Sequence, residues 1–318
     1  MLCHFADRFP GVVADFLERS RNLGRRFRED SVTDLMMANL VILGGSRVIV
    51  EFPNEPVTGA DMQWDFVNRD DHTFYRLLIQ AKRLYCDGND WRQHNYRHLR
   101  HKVGSGFQAD LLCHTAYNAS VAGTPTYPLY IFYNPQSTCQ SAAGDGYDDV
   151  RGVNVADGYD VRDLAIRRNR RLSALLTLFH PLSLLFCPSP FFAVQFFNFV
   201  ARTVYLTMGV DASGRMSLGF EMPPRPIDIH DRLRVIRGAD DTKMPRYRPS
   251  PFGQEASRPP DLPPVATSIP DDVQVRIDRV RSAAPFDEAV LPLDRWRVTF
   301  ISSNPRPSEE GLRPPPPR

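Results

Sequence analysis

The 318-residue chain predicts an α/β fold, an α+β sandwich with helices flanking a mixed sheet, and three observations carry that expectation. The apolar period changes from helical to alternating near residue 47, and returns to helical after residue 85. One alternating stretch is too apolar through its middle to lie at a sheet edge. The elements then run helix, three strands, helices, strand, an order that needs helices packed against a mixed sheet.

Before Gly44 the pattern is helical, and its second segment starts with Ser31 as N-cap and Asp34 three positions on, a capping-box variant that satisfies exposed N–H groups. Val32, Leu35, Met36, Leu40 and Leu43 share one face of that helix and are core candidates. RVIVEF (47–52) alternates as a strand. In ADMQWDFV (60–67), Met62, Trp64 and Phe66 share one face and Asp61, Gln63 and Asp65 the other, because successive strand side chains point to opposite sides. The turn-rich NRDDH (68–72) leads into TFYRLLIQAKRLY (73–85), read as a central strand buried on both faces. RQHNYRHLRHK (92–102) reads as a basic helix, SGFQADLLCHTAYNA (105–119) as a more apolar one, and PLYIFYN (128–134) as the strand that closes the unit.

Residues 134–159 are rich in Gly, Ser and Asp and read as a loop, with helical segments following at about 160–178 and 190–208. After Gly219 the composition shifts: 19 of the 28 prolines fall between Pro223 and Pro317, so much of this stretch cannot be helix or central strand. The sequence thus divides into a domain over 1–219 and a Pro-rich, partly disordered tail over 220–318, with 238–268 and 305–318 expected to hold no regular structure. Two islands in the tail, VQVRIDRV (273–280) and DRWRVTFIS (294–302), alternate as strands and are expected to pair as a small hairpin.

Bulk properties exclude several function classes. With 39 Lys and Arg against 37 Asp and Glu the net charge is +2, so a polyanion would have to be held by a local patch. RNLGRRFR (21–28), the 92–102 run and RRNRR (167–171) are the basic clusters available for one. Five cysteines, widely scattered and never in a CxxC pair, suit a reducing cytoplasm and argue against a zinc knuckle. The opening MLCHFADRFP is no signal peptide, and the apolar run from Pro181 to Met208 is broken by Pro188, Pro190, Gln195, Asn198 and Arg202, so no membrane partner is expected. No HExxH, GxxxxGK[ST] or GxGxxG run occurs, which removes the common zinc-hydrolase and nucleotide-binding routes.

The chemistry concentrates around QAK. Gln80 and Lys82 lie two apart on the central strand and point the same way, and a hairpin between 60–67 and 73–83 brings Asp61 within a residue of facing Gln80. A carboxylate, an amide oxygen and an ammonium at one strand end match metal-assisted phosphodiester hydrolysis. Asp61, the Gln80 oxygen and the Ala81 carbonyl are the hard ligands Mg²⁺ prefers, and Lys82 can orient the attacking water. Because Gln is neutral, a further acid is expected near the metal, with Glu29 the first candidate and Glu55 the second. Each residue also has an ordinary reading: Asp61 as a solvated strand start, Gln80 as a buried structural amide, Lys82 as a strand-end lysine reaching water. Two polar residues sharing a face of a buried strand favour the functional reading, since such burial is costly without a use.

In these residues the sequence resembles the PD-(D/E)XK nuclease superfamily, in the QxK variant of Mrr-like restriction endonucleases. The resemblance rests on Glu29, EPVTGAD (55–61), LLIQAKR (77–83) and the helix and strand that follow. The chain is also similar to a bacterial family of unknown function with TGAD, QAKRLY, QADLL and PLYIFYN blocks. Ala60 stands where the superfamily usually has proline before the aspartate. The resemblance spans about 25–135 and implies a restriction-endonuclease-like sheet, Mg²⁺ or Mn²⁺ as cofactor, and a nucleic-acid substrate, DNA before RNA. It also implies a phosphate or metal-shell role for Gln108, for which helix capping is the equal alternative, and Arg97, Arg100 and Lys102 are backbone-contact candidates beside it. The alternative function is a nucleic-acid-binding or assembly protein that keeps the fold without cleaving. A homodimer is left open.

Overall fold

The computed structural model describes residues 2–21, 23, 27–44, 47–51, 60–86, 88, 90–103, 106–187, 207–210, 216–219, 222–238, 260–282 and 296–304. Two helices, α1 (Leu2–Arg21) and α2 (Glu29–Gly44), precede the strands β1 (Val48–Glu51), β2 (Met62–Asn68) and β3 (Thr73–Arg83). A ribbon of β4 (Lys102–Val103) and β5 (Gly106–Phe107) runs directly into α3 (Gln108–Val121), followed by β6 (Thr126–Tyr133), α4 (Gln136–Gly144), β7 (Val153–Asp157) and α5 (Gly158–Ile166). Then come α6 (Leu172–Leu175), β8 (His180–Pro181), α7 (Ser183–Phe186), the pair β9 (Thr207–Val210) and β10 (Met216–Gly219), α8 (Pro226–Ile236), α9 (Asp271–Arg281) and β11 (Trp296–Ser302).

Seven strands form one mixed sheet in the order β1-β11-β2-β3-β6-β7-β8, with β11 parallel to β2 and β3 parallel to β6, as the α/β sandwich expectation requires. β3 is the centre of this sheet. Its residues from Leu77 onward are all buried, because both faces are covered by other layers. Tyr75, Leu77, Ile79 and Ala81 join Met62, Trp64 and Phe66 in a core closed by α1, α2, α7 and α8. Leu78, Tyr130 and Phe132 join a second core closed by α3, α5 and the 91–99 segment. At about 1.5–3 kcal/mol for each fully buried large apolar side chain, these two layers dominate the stability of the sheet. The predicted 62–64–66 face is therefore correct. The opposite face, Gln63 and Asp65, is internal too, held by hydrogen bonds to each other (2.8 Å) and by ion pairs from Arg76 (2.7 Å) and Arg276 (2.8 Å) to Asp65.

Several sequence expectations are corrected. Ser31 is not an N-cap: α2 starts at Glu29, which places two acids, Glu29 and Asp30, in the first turn, where the helix dipole favours them. The 92–102 run is no helix. It forms two short 3₁₀ turns (Trp91–Gln93, Arg97–Arg100), because Asn95 exchanges both backbone hydrogen bonds with Tyr85 (2.9 and 3.0 Å) and is held extended. The 134–159 stretch is not a loop but contains α4 and β7, and the 160–178 helix is split into α5 and α6. Residues 273–280 form helix α9, not a strand, so the hairpin with 294–302 does not exist. Val273, Arg276 and Ile277 are buried at helical spacing, whereas Val275, which strand parity would place between Val273 and Ile277 on one face, is about half exposed. The strand at 294–302 is real, but as β11 it completes the main sheet between β1 and β2, so residue 219 does not mark the edge of the core.

Most of the helix expected over 190–208 lies outside the described residues, and Thr207 and Met208 belong to β9. Of the stretches expected to lack regular structure, 239–259 and 305–318 are also outside them. Residues 260–268 contain no helix, though Ala266 bridges Phe74. Cys3 and Cys187 form a disulfide across 184 residues, tying the start of α1 to the end of α7, while Cys86, Cys113 and Cys139 are free. No described helix is long and apolar enough to cross a membrane.

Candidate active site

The site lies where β3 and β6 end and antiparallel β2 begins. Asp61 sits just ahead of β2, with its N–H bonded to Ile79 O (2.9 Å) and its carbonyl accepting from Trp296 N–H of β11 (3.3 Å). Those two contacts fix the backbone and aim the carboxylate across β3. Its Oδ2 accepts from Gln80 Nε2 (2.5 Å) and from Ala81 N–H (2.8 Å). Gln80 is fully buried, and Nε2 also approaches the Ala81 carbonyl (3.3 Å). Its Oε1 is buried without a hydrogen-bond partner among the described residues, a costly arrangement unless a cation or water completes it.

Lys82 is two residues further on the same face and 2% exposed. Its ammonium donates to Gln108 Oε1 (3.1 Å) at the start of α3 and pairs with Glu29 Oε1 (3.5 Å) at the start of α2. Two helix N-termini thus deliver the partners of the strand lysine. Four elements bring five predicted residues together: Glu29, Asp61, Gln80, Lys82 and Gln108. Glu55 lies outside the described residues.

Desolvation is the largest influence on Asp61 and, with the Glu29 charge, raises its pKa. The Lys82 cation, the Ala81 N–H and the Gln80 amide pull the other way, and the balance is about 6. A carboxyl that resists ionisation beside an orphaned amide oxygen is a centre short of positive charge. The donors are hard oxygens from Asp61, Glu29 and Gln80, the set that suits Mg²⁺ or Mn²⁺ and not a thiolate-seeking metal.

The backbone-contact candidates flank this cluster. Arg100 stacks 4.6 Å over the Phe107 ring, and Phe107 directly precedes Gln108. Arg97 and Arg83 both lie over the Tyr85 ring (5.1 and 5.2 Å), and Lys102 is exposed on β4. One participant escaped the sequence reading. Tyr130 pairs with Gln80 across the parallel β3–β6 ladder, and its buried hydroxyl has no hydrogen-bond partner among the described residues. Burial, then the charges of Cys113 and Asp61, hold that phenol far from ionising, so it can serve the site only as a neutral donor or acceptor.

No curated protein matches the chain, and no solved structure does. Residues 2–306 match the model of a family described as a family of unknown function (DUF6615), and with nearly the whole chain covered, the protein belongs to that family.

Proposed function

We propose that the protein is a metal-dependent nuclease that hydrolyses phosphodiester bonds, with DNA the first substrate and RNA the second. The observation that carries this reading is the meeting of Asp61, Gln80, Lys82 and Glu29 at the end of one buried strand, with Gln80 Oε1 left without a donor among the described residues. The motif resemblance to Mrr-like restriction endonucleases places DNA ahead of RNA.

Asp61, Glu29 and the Gln80 oxygen would hold Mg²⁺ or Mn²⁺. A bound ion at this position supplies neutralisation of phosphate charge and a more acidic water. Lys82 does the positioning. Its ammonium carries three N–H donors, and with Gln108 and Glu29 engaging two, a third can serve a water or a phosphate oxygen at a fixed place. Gln108 anchors that ammonium, so loss of Gln108 loosens the geometry without removing the charge. The basic residues Arg97, Arg100 and Lys102 would hold the phosphate backbone beside the cluster.

The test is a panel of plasmid, linear duplex, single-stranded DNA and RNA with Mg²⁺ or Mn²⁺, run on wild type and Lys82→Ala. Cleavage by wild type is expected, with a loss of at least about 100-fold in Lys82→Ala while metal binding by calorimetry persists. Intact substrates in every lane, with no heat of Mg²⁺ or Mn²⁺ binding, would leave the protein a binder without this chemistry.

A further inference from the structure

Beside the cluster, a cavity of about 760 Å³ opens between the β4–β5 ribbon, α3 and α5. Three aromatic rings, Phe107, Tyr117 and Tyr159, and three polar side chains, Asp110, His114 and Arg162, line it. Asp110, His114 and Tyr117 follow one face of α3 at spacings of 4 and 3. That face stays open: Tyr117 is 49% exposed, unusual for a large aromatic side chain, and His114 is exposed as well.

We infer that this cavity receives one unpaired base of a nucleic-acid strand whose backbone crosses the Asp61–Lys82 cluster. The inference rests on the nuclease reading and adds a substrate class to it: strands with a single-stranded or extrudable nucleotide next to the cleaved bond. The volume falls within the range of about 300–1,000 Å³ found for clefts that enclose a small ligand. Aromatic faces give sequence-tolerant stacking, and the carboxylate, imidazole and guanidinium offer an acceptor, ring nitrogens and donors for a base edge. Arg162 already lies 5.6 Å over the Tyr159 ring, so one wall presents a cation and a π-face together.

Continuity selects a strand over a free small molecule. Phe107 lines the cavity, and the next residue, Gln108, accepts the hydrogen bond from Lys82, so the start of α3 borders the cavity with one residue and the cluster with the next. The rim on that side is cationic. Arg100 stacks on Phe107, and His101 and Lys102 are exposed at the base of the ribbon, which suits the phosphates flanking an inserted base.

The experiment measures binding by fluorescence anisotropy, in metal-free buffer, for a labelled single-stranded DNA, a duplex of the same sequence, and a set of strands with one abasic site moved along them. A nucleoside monophosphate serves as competitor, and wild type is compared with Tyr117→Ala and His114→Ala, both exposed positions outside the cluster. Expected is a single position where the abasic site weakens wild-type binding about 10-fold, with that penalty lost in Tyr117→Ala and reduced in His114→Ala. Tight strand binding with Lys82-dependent cleavage, but no position sensitive to base removal, would overturn the cavity assignment and leave the nuclease intact. A monophosphate that competes as well as the strand would show a free-nucleotide site and overturn it too. Absence of both strand binding and cleavage would end both readings.

Discussion

Ionising Asp61 removes a proton from a group that desolvation and the Glu29 carboxylate both protect, and folding therefore favours the neutral acid. A folded pKa of about 6 against an ordinary value of 3.8 means that the folded state holds the proton more tightly over that window. The stabilisation is full below about pH 4, is lost as pH rises through 6, and stays lost above. Asp61→Asn should thus raise the stability of the metal-free protein above pH 6, by about 1–3 kcal/mol, and leave it unchanged near pH 4. Thermal melts across that range check the sign, and a uniform shift at all pH values would contradict it. Gln80→Glu is expected to act oppositely. Its new carboxylate would face Asp61 Oδ2, where the amide now donates, so melting temperature should fall without metal and recover with millimolar Mg²⁺. A fall that Mg²⁺ does not reverse would mark Gln80 as a purely structural amide. These residues were legible because strand parity and one short turn fix Asp61, Gln80 and Lys82 relative to one another. Tyr130 was not, since its place depends on the β3–β6 register, which passes through a long connection that periodicity says nothing about.

At the level of elements, α9 is held by charge as much as by its apolar face. Arg276, 4% exposed, reaches Asp65 (2.8 Å), Asp272 (3.2 Å) and Glu51 (3.4 Å), and Arg76 adds a second cation to the fully buried Asp65. Burial works against the Asp65 charge, but Arg76 first and Arg276 next hold its carboxyl below the usual range. Removing Arg276 leaves the fully buried Asp65 with Arg76 as its single cation among the described residues and takes from Glu51 its Arg276 partner. Arg276→Ala should cost about 3–5 kcal/mol in urea unfolding, whereas Asp278→Ala, on the outer side of α9, should cost under about 0.5. Equal effects would show that the cluster does not dock the helix. The same residues explain why α9 was misread. An arginine between Val275 and Ile277 looks like the solvent face of a strand, and only its buried partners, Asp65 and Glu51, far away in sequence, reveal that it points inward. The 92–102 segment failed for the converse reason: its spacing permits a helix, but Asn95 finds a better backbone partner in Tyr85.

For the whole molecule, the α/β sandwich and the central position of β3 followed from period and order alone. The seven-residue strand β11 was legible from its alternation, but its place inside the main sheet was not, because its pairing partners lie far away in sequence. Yet β11 pairs along its whole length with β2 and also carries β1. Deleting residues 296–302 is expected to abolish cooperative unfolding and near-ultraviolet circular dichroism, while a chain ending at residue 304 should retain both. A folded, cooperative deletion variant would contradict the sheet order. β1 and β2 are translated before every other strand of the sheet and wait, with open edges, for β11, so the sheet can close only once residues 296–302 have left the ribosome. Trp296 also supplies the N–H that holds the Asp61 carbonyl, so the carboxylate's final setting waits for β11. A product stalled before residue 296 would therefore carry Asp61, Gln80 and Lys82 without the strand that sets the first of them, a nascent chain with the residues of the cluster but not its geometry.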